Sequence, residues 1–236
     1  MPVAVITGAS KGLGRALAYE LAGRGWRLVL NARSRDVLEE TVARLRTVAG
    51  PDAVVAAVPG DVAEAWTRGS LVAAAQEHGG LDLLVNNASA LGAEPLVPLA
   101  RQPLDGFRAA LETNVVAPLA LVQEALSLLT ASPRGRVLNI SSDAAVEAYG
   151  TWGGYGASKA ALDQLTAVLA VEHPELRVWA VDPGDMRTDL YAAAVPDDGD
   201  FGERLDPREV APALLRLVDE DVASGRYTAA ALREKR

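Results

Sequence analysis

Along the chain, short aliphatic and β-branched runs alternate with longer stretches whose apolar positions recur at helical spacing. The runs are Val3–Ile6, Arg27–Leu30, Ala53–Val58, Leu81–Val85, Arg136–Ile140 and Arg177–Val181. They are nearly continuous in apolar character, which is what strands covered on both faces require. Between them, Leu13, Ala16, Leu17 and Leu21 form one helical stripe with Gly25 as its C-terminal stop, and Leu38, Val42 and Leu45 form a second. Asp206 as N-cap and Pro207 at the first helical position open a late helix. Such alternation predicts βαβ units and an α/β fold, a doubly wound parallel sheet in three α/β/α layers. No repeat or Ser/Gly/Pro linker divides the chain, so residues 1–236 are expected to form a single domain. One stretch lacks periodicity. Residues 185–205 are expected to be a long loop, and loops of that length serve as lids or binding loops. The acidic run there, Asp197, Asp198, Gly199 and Asp200, is expected to be a solvated tip.

Composition narrows the chemistry. The chain has 23 Lys+Arg against 31 Asp+Glu, a net charge of −8, with 50% hydrophobic and 23% charged residues. That is enough apolar material for a packed core, and no case for disorder. With no cysteine and two histidines, thiolate metal sites and Cys nucleophiles are excluded and a metal centre is not expected. The acidic balance argues against nucleic acid and anionic membranes, and leaves small molecules as the expected partners. The most apolar stretch, Ala109 to Leu129, is broken by Glu112, Asn114, Gln123 and Glu124, so no membrane span is expected. No basic segment precedes the first apolar run at Val3, and the expected compartment is the cytoplasm.

The first strand runs into Thr7-Gly8-Ala9-Ser10-Lys11-Gly12-Leu13-Gly14 and a helix follows at once. Glycines there allow backbone N–H groups and the helix N-terminus to approach a pyrophosphate. A tight turn with close helix packing is the plainer alternative, and the TGxxxGxG spacing differs from the commoner GxGxxG. Tyr155 and Lys159 lie at i and i+4 near the start of another helix, so phenol and ammonium share a face. Bringing a phenol from a pKa of about 10 to near 7 needs roughly 4 kcal/mol, which a cation near 4 Å supplies at an effective dielectric of about 20. A Tyr-x-x-x-Lys match alone also arises by chance on helix surfaces. Pro118 has no N–H, so the carbonyl of Asn114 loses its helical donor and a kink is expected.

Together these residues resemble the short-chain dehydrogenase/reductase family over nearly the whole chain. The resemblance rests on the TGASKGLG turn, Asp61, Asn86-Asn87-Ala88, Asn114, Ile140-Ser141-Ser142, Tyr155/Lys159 and Pro183-Gly184 through Thr188, in the family's order and spacing. Among its members the chain looks most like the sepiapterin and benzil reductases, through Tyr149-Gly150-Thr151-Trp152-Gly153-Gly154-Tyr155 and the short tail. The resemblance implies a Rossmann-type sheet, a nicotinamide cofactor and a carbonyl substrate. It makes Tyr155 the proton donor and Ser142, with Ser141 as alternative, the hydroxyl on the substrate oxygen. Lys159 holds the ribose and lowers the Tyr155 pKa, and Asn114 completes a water relay. Gly8, Ser10, Lys11, Gly12, Leu13 and Gly14 are the implied phosphate turn, Asp61 and Val62 adenine contacts, Asn87 and Ala88 a wall of the adenine-ribose cleft. Pro183, Gly184, Met186 and Thr188 bound the nicotinamide end. Two departures stand out. Ser89 replaces the family's usual Gly, and Ser224 to Ala231 lacks its frequent Asp-Gly-Gly, so a short seventh strand is expected and the oligomer is either a homodimer or a homotetramer.

The second strand ends Leu30-Asn31-Ala32-Arg33 without the acid that would bind the ribose 2′-hydroxyl of NAD. Arg33, with Lys11 beside it, instead suits a 2′-phosphate, and NADPH is the expected cofactor. Reduction of a ketone or aldehyde is the expected reaction; the alternatives are alcohol oxidation by the same residues and a catalytically silent NADP-binding sensor. For the substrate pocket the candidates are Leu91, Leu96, Val146, Tyr149, Trp152, Met186, Leu190 and Tyr191, beside Ser142 and Tyr155, a lining suited to a flat, neutral, apolar carbonyl compound. Tyr149 and Trp152 fit pocket wall and core equally, and Arg187 faces either cofactor or solvent. Trp26 and Trp179 are expected to pack, and His78 and His173 to sit at helix ends.

Overall fold

The computed structural model describes residues 1–50 and 53–234. Seven parallel strands form one sheet in the order β3-β2-β1-β4-β5-β6-β7. They are β1 (Val3–Ile6), β2 (Arg27–Ala32), β3 (Val55–Pro59), β4 (Leu83–Asn86), β5 (Arg136–Ile140), β6 (Arg177–Asp182) and β7 (Gly225–Thr228). The helices are α1 (Gly12–Gly23), α2 (Arg35–Ala49), α3 (Ala65–Glu77), α4 (Leu104–Leu111), α5 (Ala117–Ala131), α6 (Gly153–Glu172), α7 (Asp189–Ala194), α8 (Pro207–Asp219) and α9 (Ala229–Glu234). The sheet order reverses between β1 and β4, so the carboxyl ends of these strands diverge and leave a crevice, where ligands of open α/β sheets bind.

Both sheet faces are covered. The α1 stripe Leu13, Ala16, Leu17 and Leu21 packs with Leu38 and Leu45 of α2 and Leu214 and Leu217 of α8 on one face. Leu71 of α3 and Leu121, Ala125 and Leu129 of α5 pack on the other. Each fully buried Leu contributes about 2 kcal/mol through the area it removes from water. Trp179 is fully buried and its Nε1 donates to the carbonyls of Val222 and Ala223, tying β6 to the turn before β7. Trp26 packs partly buried against the same core. Gly25 follows α1 at φ +76°, as a helix stop needs. Asp206 and Glu209 form a reciprocal capping box at α8 with Pro207 at its start, and His78 and His173 are the C-caps of α3 and α6.

Three expectations are corrected. The fourth strand begins at Leu83, because the chain is still turning at Gly79 and Gly80, both at positive φ, and it continues to Asn86. The polar end is tolerated because Asn86 Nδ2 donates to Asn139 Oδ1 (2.8 Å) and Asn139 Nδ2 to Thr166 Oγ1 (2.8 Å), a buried amide chain. Residues 185–205 are not an irregular loop. They contain α7, capped by Thr188, and a short turn at Phe201–Glu203, and Arg204 joins Asp198 (3.0 Å) to Asp185 (3.4 Å). Asp198 is therefore drawn in, its side chain 9% accessible, and is not a solvated tip.

Third, the apolar stretch 109–129 belongs to one helical run, Leu104–Ala131, whose most apolar window has mean hydropathy 1.4. By length and composition alone it could cross a membrane, but Ala117, Leu121, Val122, Ala125 and Leu129 pack into the core. Pro118 does not simply kink it. The run contains a π turn at Glu112–Val116, in which the Ala117 N–H reaches back five residues to the Glu112 carbonyl, immediately before the proline that has no N–H to give.

Candidate functional site

The crevice opens into a cavity of about 1270 Å³. Its glycine-rich end is built by close approach. A Cβ on Gly14 would stand 2.5 Å from both the Gly8 carbonyl oxygen and Asn87 Nδ2, and Gly8 itself is at φ +64° against Asn87 and Ala88. Asn87 Nδ2 donates to the carbonyls of Thr7 (2.9 Å) and Gly8 (3.2 Å), and Thr7 Oγ1 accepts from the N–H groups of Asn87 and Ala88. The turn after β1 and the strand end of β4 are thereby locked together. The first turn of α1 holds no acid and its N-cap Lys11 makes no side-chain cap, so its first N–H groups are left to an acceptor from outside the helix. Bare glycines and uncapped donors fit the diphosphate of a dinucleotide.

Gly8, Ser10, Lys11, Gly12, Leu13, Arg33, Asp61, Val62, Asn87 and Ala88 line this end. Arg33 is exposed. Lys11 is already engaged, its Nζ 2.7 Å from Asp189 Oδ2 at the start of α7, an exposed ion pair between the glycine-rich turn and that helix. Asp61 Oδ1 caps the Ala63 N–H (2.9 Å), and Asn31 holds β3 through the carbonyls of Val58 and Gly60.

At the other end stand Tyr155, Lys159, Ser142, Trp152, Pro183, Gly184, Met186, Thr188 and Tyr191. The Tyr155 ring is buried and packs edge-on against Trp152, centroids 5.7 Å apart. Lys159 is 2% exposed, and its Nζ donates to the Ile140 carbonyl (2.8 Å) and lies over the Tyr155 ring. Burial lowers Lys159 to about 8 against the pull of Asp163. Burial opposes the lowering of the phenol expected from Lys159. Desolvation dominates and holds Tyr155 at about 12, although the Ser89 and Ser142 hydroxyls both favour its anion. Ser142 Oγ accepts the Ala144 N–H (3.2 Å) and donates to Asp143 Oδ1 (3.0 Å), whereas Ser141 Oγ is buried without a partner among the described residues.

Five candidates lie outside the cavity wall: Gly14, Leu96, Asn114, Val146 and Tyr149. Gly14 acts through the space it leaves. Asn114 is fully buried; its Nδ2 donates to the Ala90 carbonyl (2.8 Å) and Ser158 Oγ (2.9 Å), and its Oδ1 accepts the Ala90 N–H (2.8 Å). With both amide hydrogens committed, any part it takes in a relay falls to its main-chain carbonyl. Tyr149 is turned outward, 46% exposed, with its hydroxyl donating to Asp143 Oδ2 (2.9 Å). Val146 is exposed as well, and Leu96 packs beneath the wall with Leu91, Ala144 and Ala194. Tyr191 stacks on Phe201, and Arg204 lies over its ring. Arg187 is exposed and lines the cavity, and its guanidinium donates to the Gly202 carbonyl and pairs with Asp206.

Ser89 is a cavity residue beside the Tyr155 hydroxyl that the motifs did not single out. Its hydroxyl is buried and makes no hydrogen bond to the neutral chain among the described residues, but it lies close enough to Tyr155 to donate to the phenolate; it lines the cavity, and its flanking residues are fixed by Thr7 and Asn114. The only sequence signal was its departure from glycine. No cluster of three or more His, Asp or Glu side chains able to hold a metal occurs among the described residues.

Residues 2–199 match the family model for short chain dehydrogenases. The 11-beta-hydroxysteroid dehydrogenase A of Sesamum indicum is 33% identical, over 99% of this chain and 66% of its own length. The structure of an alcohol dehydrogenase from the archaeon Thermococcus sibiricus, complexed with 5-hydroxy-NADP, superposes with a TM-score of 0.86 at 28% identity, covering 97% of this chain and 95% of that one. A short chain dehydrogenase structure from Escherichia coli CFT073 complexed with NADPH gives a TM-score of 0.88 at 27% identity, covering 97% and 96%. With a family model spanning most of the chain and the tyrosine, lysine and serine set gathered in one cleft, this protein belongs to the short-chain dehydrogenase family and is an oxidoreductase acting on CH–OH or C=O groups.

Proposed function

We propose that the protein is an NADPH-dependent carbonyl reductase for a small, flat, largely apolar ketone or aldehyde. The observation that carries this reading is the placement of the Tyr155 hydroxyl, with Ser89 and Ser142 beside it, in a cavity whose other end is a glycine cradle. Arg33, exposed at the end of β2 with no acid at that strand's end, and the NADP and NADPH found in the related structures support NADPH over NADH. When bound, the dinucleotide supplies a hydride to the carbonyl carbon. The protein's own groups do the rest. Ser142 orients the carbonyl oxygen, Tyr155 gives it a proton as charge develops there, and buried Lys159 beneath the ring favours the phenolate left behind. Leu91, Trp152, Met186 and Tyr191 wall the substrate end in apolar surface, which suits a neutral compound better than a phosphorylated sugar or acyl thioester.

We assign a homo-oligomer as the working state, through the outer faces of α5 and α6, where Leu119, Val168 and Val171 are exposed. We assign the cytoplasm as its compartment. The deciding experiment is a panel of aromatic ketones, diketones and quinones with NADPH, followed by loss of nicotinamide absorbance. Turnover of neutral aromatic carbonyls is the expected result. A preference for anionic substrates, or equal use of NADH, overturns the corresponding part of the reading.

A further inference from the structure

After β5 the chain leaves the sheet at the point where its catalytic residues lie. Ser141 N–H still donates to the Val181 carbonyl (2.8 Å), the last main-chain bond from this segment to β6 among the described residues. Two cations flank this bond. Lys159 holds the Ile140 carbonyl, and two residues on, Arg226 Nη2 donates to the carbonyl oxygen of Ser142 (2.9 Å). Arg226 comes from β7, whose register sets it beside Ala180 of β6. Its Nε donates at the same time to Asp163 Oδ2 (2.9 Å), on the turn of α6 that follows Lys159. The Asp163 side chain is 14% accessible, and its other oxygen is buried without a partner among the described residues. One guanidinium therefore joins the last strand to the serine segment and to the lysine helix. Its planar fork engages two acceptors in fixed relation, which a lysine cannot do.

We propose that Arg226 is a positioning residue that sets the Ser142 backbone directly and the surroundings of Lys159 through Asp163. The inference rests on the reductase reading for its catalytic meaning and on these contacts for its existence. Asp143 on the turn after β5 and Asp182 at the end of β6 are the other charged groups at this corner; they bear on Tyr155, and Arg226 also bears on Asp182. Asp163 is the charge that bears on Lys159, keeping its ammonium from falling further under burial. Arg226 offsets part of that negative charge. Removing the arginine therefore raises the Lys159 titration midpoint, and removing the carboxylate lowers it.

The test uses Arg226→Gln, Arg226→Lys and Asp163→Asn in the full chain. Lys159 titration is followed by NMR of lysine-labelled, cofactor-free protein, alongside melting temperature, NADPH Kd, kcat and KM. Arg226→Gln is expected to move the Lys159 midpoint upward and Asp163→Asn to move it downward. Arg226→Gln is also expected to lower kcat about tenfold or more with NADPH Kd within about threefold of wild type, the scale of one charged hydrogen bond lost at a reacting group. Arg226→Lys restores part of kcat. An unmoved Lys159 midpoint with kcat within twofold of wild type overturns the proposal. So does a fall in kcat matched by an equal loss of NADPH binding and melting temperature, which marks a purely structural role. A wild type that reduces no carbonyl while its Lys159 midpoint still follows Arg226 refutes the reductase reading and leaves the clamp standing.

Discussion

The Lys159 ammonium lies 5.6 Å from the centre of the Tyr155 ring, pinned there by the Ile140 carbonyl. Two groups that would each be solvated in an unfolded chain are thus buried one against the other. Burial raises the phenol and lowers the amine, bringing both nearer their neutral forms.

Lys159→Met tests that cost. Between about pH 8 and the unfolded value of 10.5, the unfolded chain carries more proton than the folded one, so stability rises with pH across this window. Below it the penalty is fully present, about 3 kcal/mol, offset by about 1 kcal/mol for the bond to Ile140 that methionine loses. The variant is expected to melt higher than wild type at pH 7 without cofactor, with the gap closing between pH 8 and 10.5. Melting curves across that range check it, and a lower-melting variant at pH 7 contradicts the burial argument.

Tyr155→Phe removes one hydroxyl and little volume. Carbonyl reduction is expected to fall by about 10² to 10⁴ while NADPH binding persists. Single-turnover kinetics and fluorescence titration separate the two, and full activity in the variant removes Tyr155 from the mechanism.

Ser89→Ala takes away a hydroxyl that favours the Tyr155 phenolate. The phenol is expected to ionise at still higher pH, and kcat to drop about tenfold, the value of one hydrogen bond to an oxyanion. Tyrosine-labelled NMR gives the midpoint directly. A midpoint at or below that of wild type rules out the contact.

For cofactor choice the structure divides the two cations. Lys11 already has Asp189, so Arg33 is expected to carry most of the preference. Arg33→Ala is predicted to weaken NADPH binding about 10- to 100-fold with little change for NADH. Asp189→Asn frees Lys11 and is expected to tighten NADPH slightly. Calorimetric Kd values for both cofactors decide it.

Gly14→Ala puts a methyl where the Gly8 carbonyl and Asn87 amide already meet. Overpacking of this kind costs about 1–3 kcal/mol, and the turn must shift, so melting temperature and NADPH affinity are expected to fall together. Unchanged affinity removes the tight cradle from the account of binding.

The helices and strands that could be read from the chain are those with a repeating pattern, such as Leu13 to Leu21 on α1 and the capped start at Asp206. Elements whose reasons lie elsewhere in the molecule were not legible. The end of β4 at Asn86 depends on Asn139, 53 residues away, and α7 has only six residues, too few for a period to show. In the site, residue identities and their gathering were legible from the motifs, because glycines and a Tyr/Lys pair have few other uses in that order. The ionisation of Tyr155 was not, since it is set by how dry the cleft is. Tyr149, which fitted pocket wall and core equally, is neither: it is turned outward with its hydroxyl on Asp143.

The π turn at Glu112–Val116 amounts to a phase shift in a long helix. Each residue advances an α-helix by about 100°, so one residue accommodated in the bulge rotates everything after it by that amount relative to everything before. Asn114 can then look toward the Ala90 segment while Leu121, Ala125 and Leu129 still look at the sheet. A chain one residue shorter here would form a more regular helix and would have to choose between them, turning either the asparagine from its loop or the leucines from the core. The irregular turn is what lets a single helix serve the cleft and the hydrophobic interior at once.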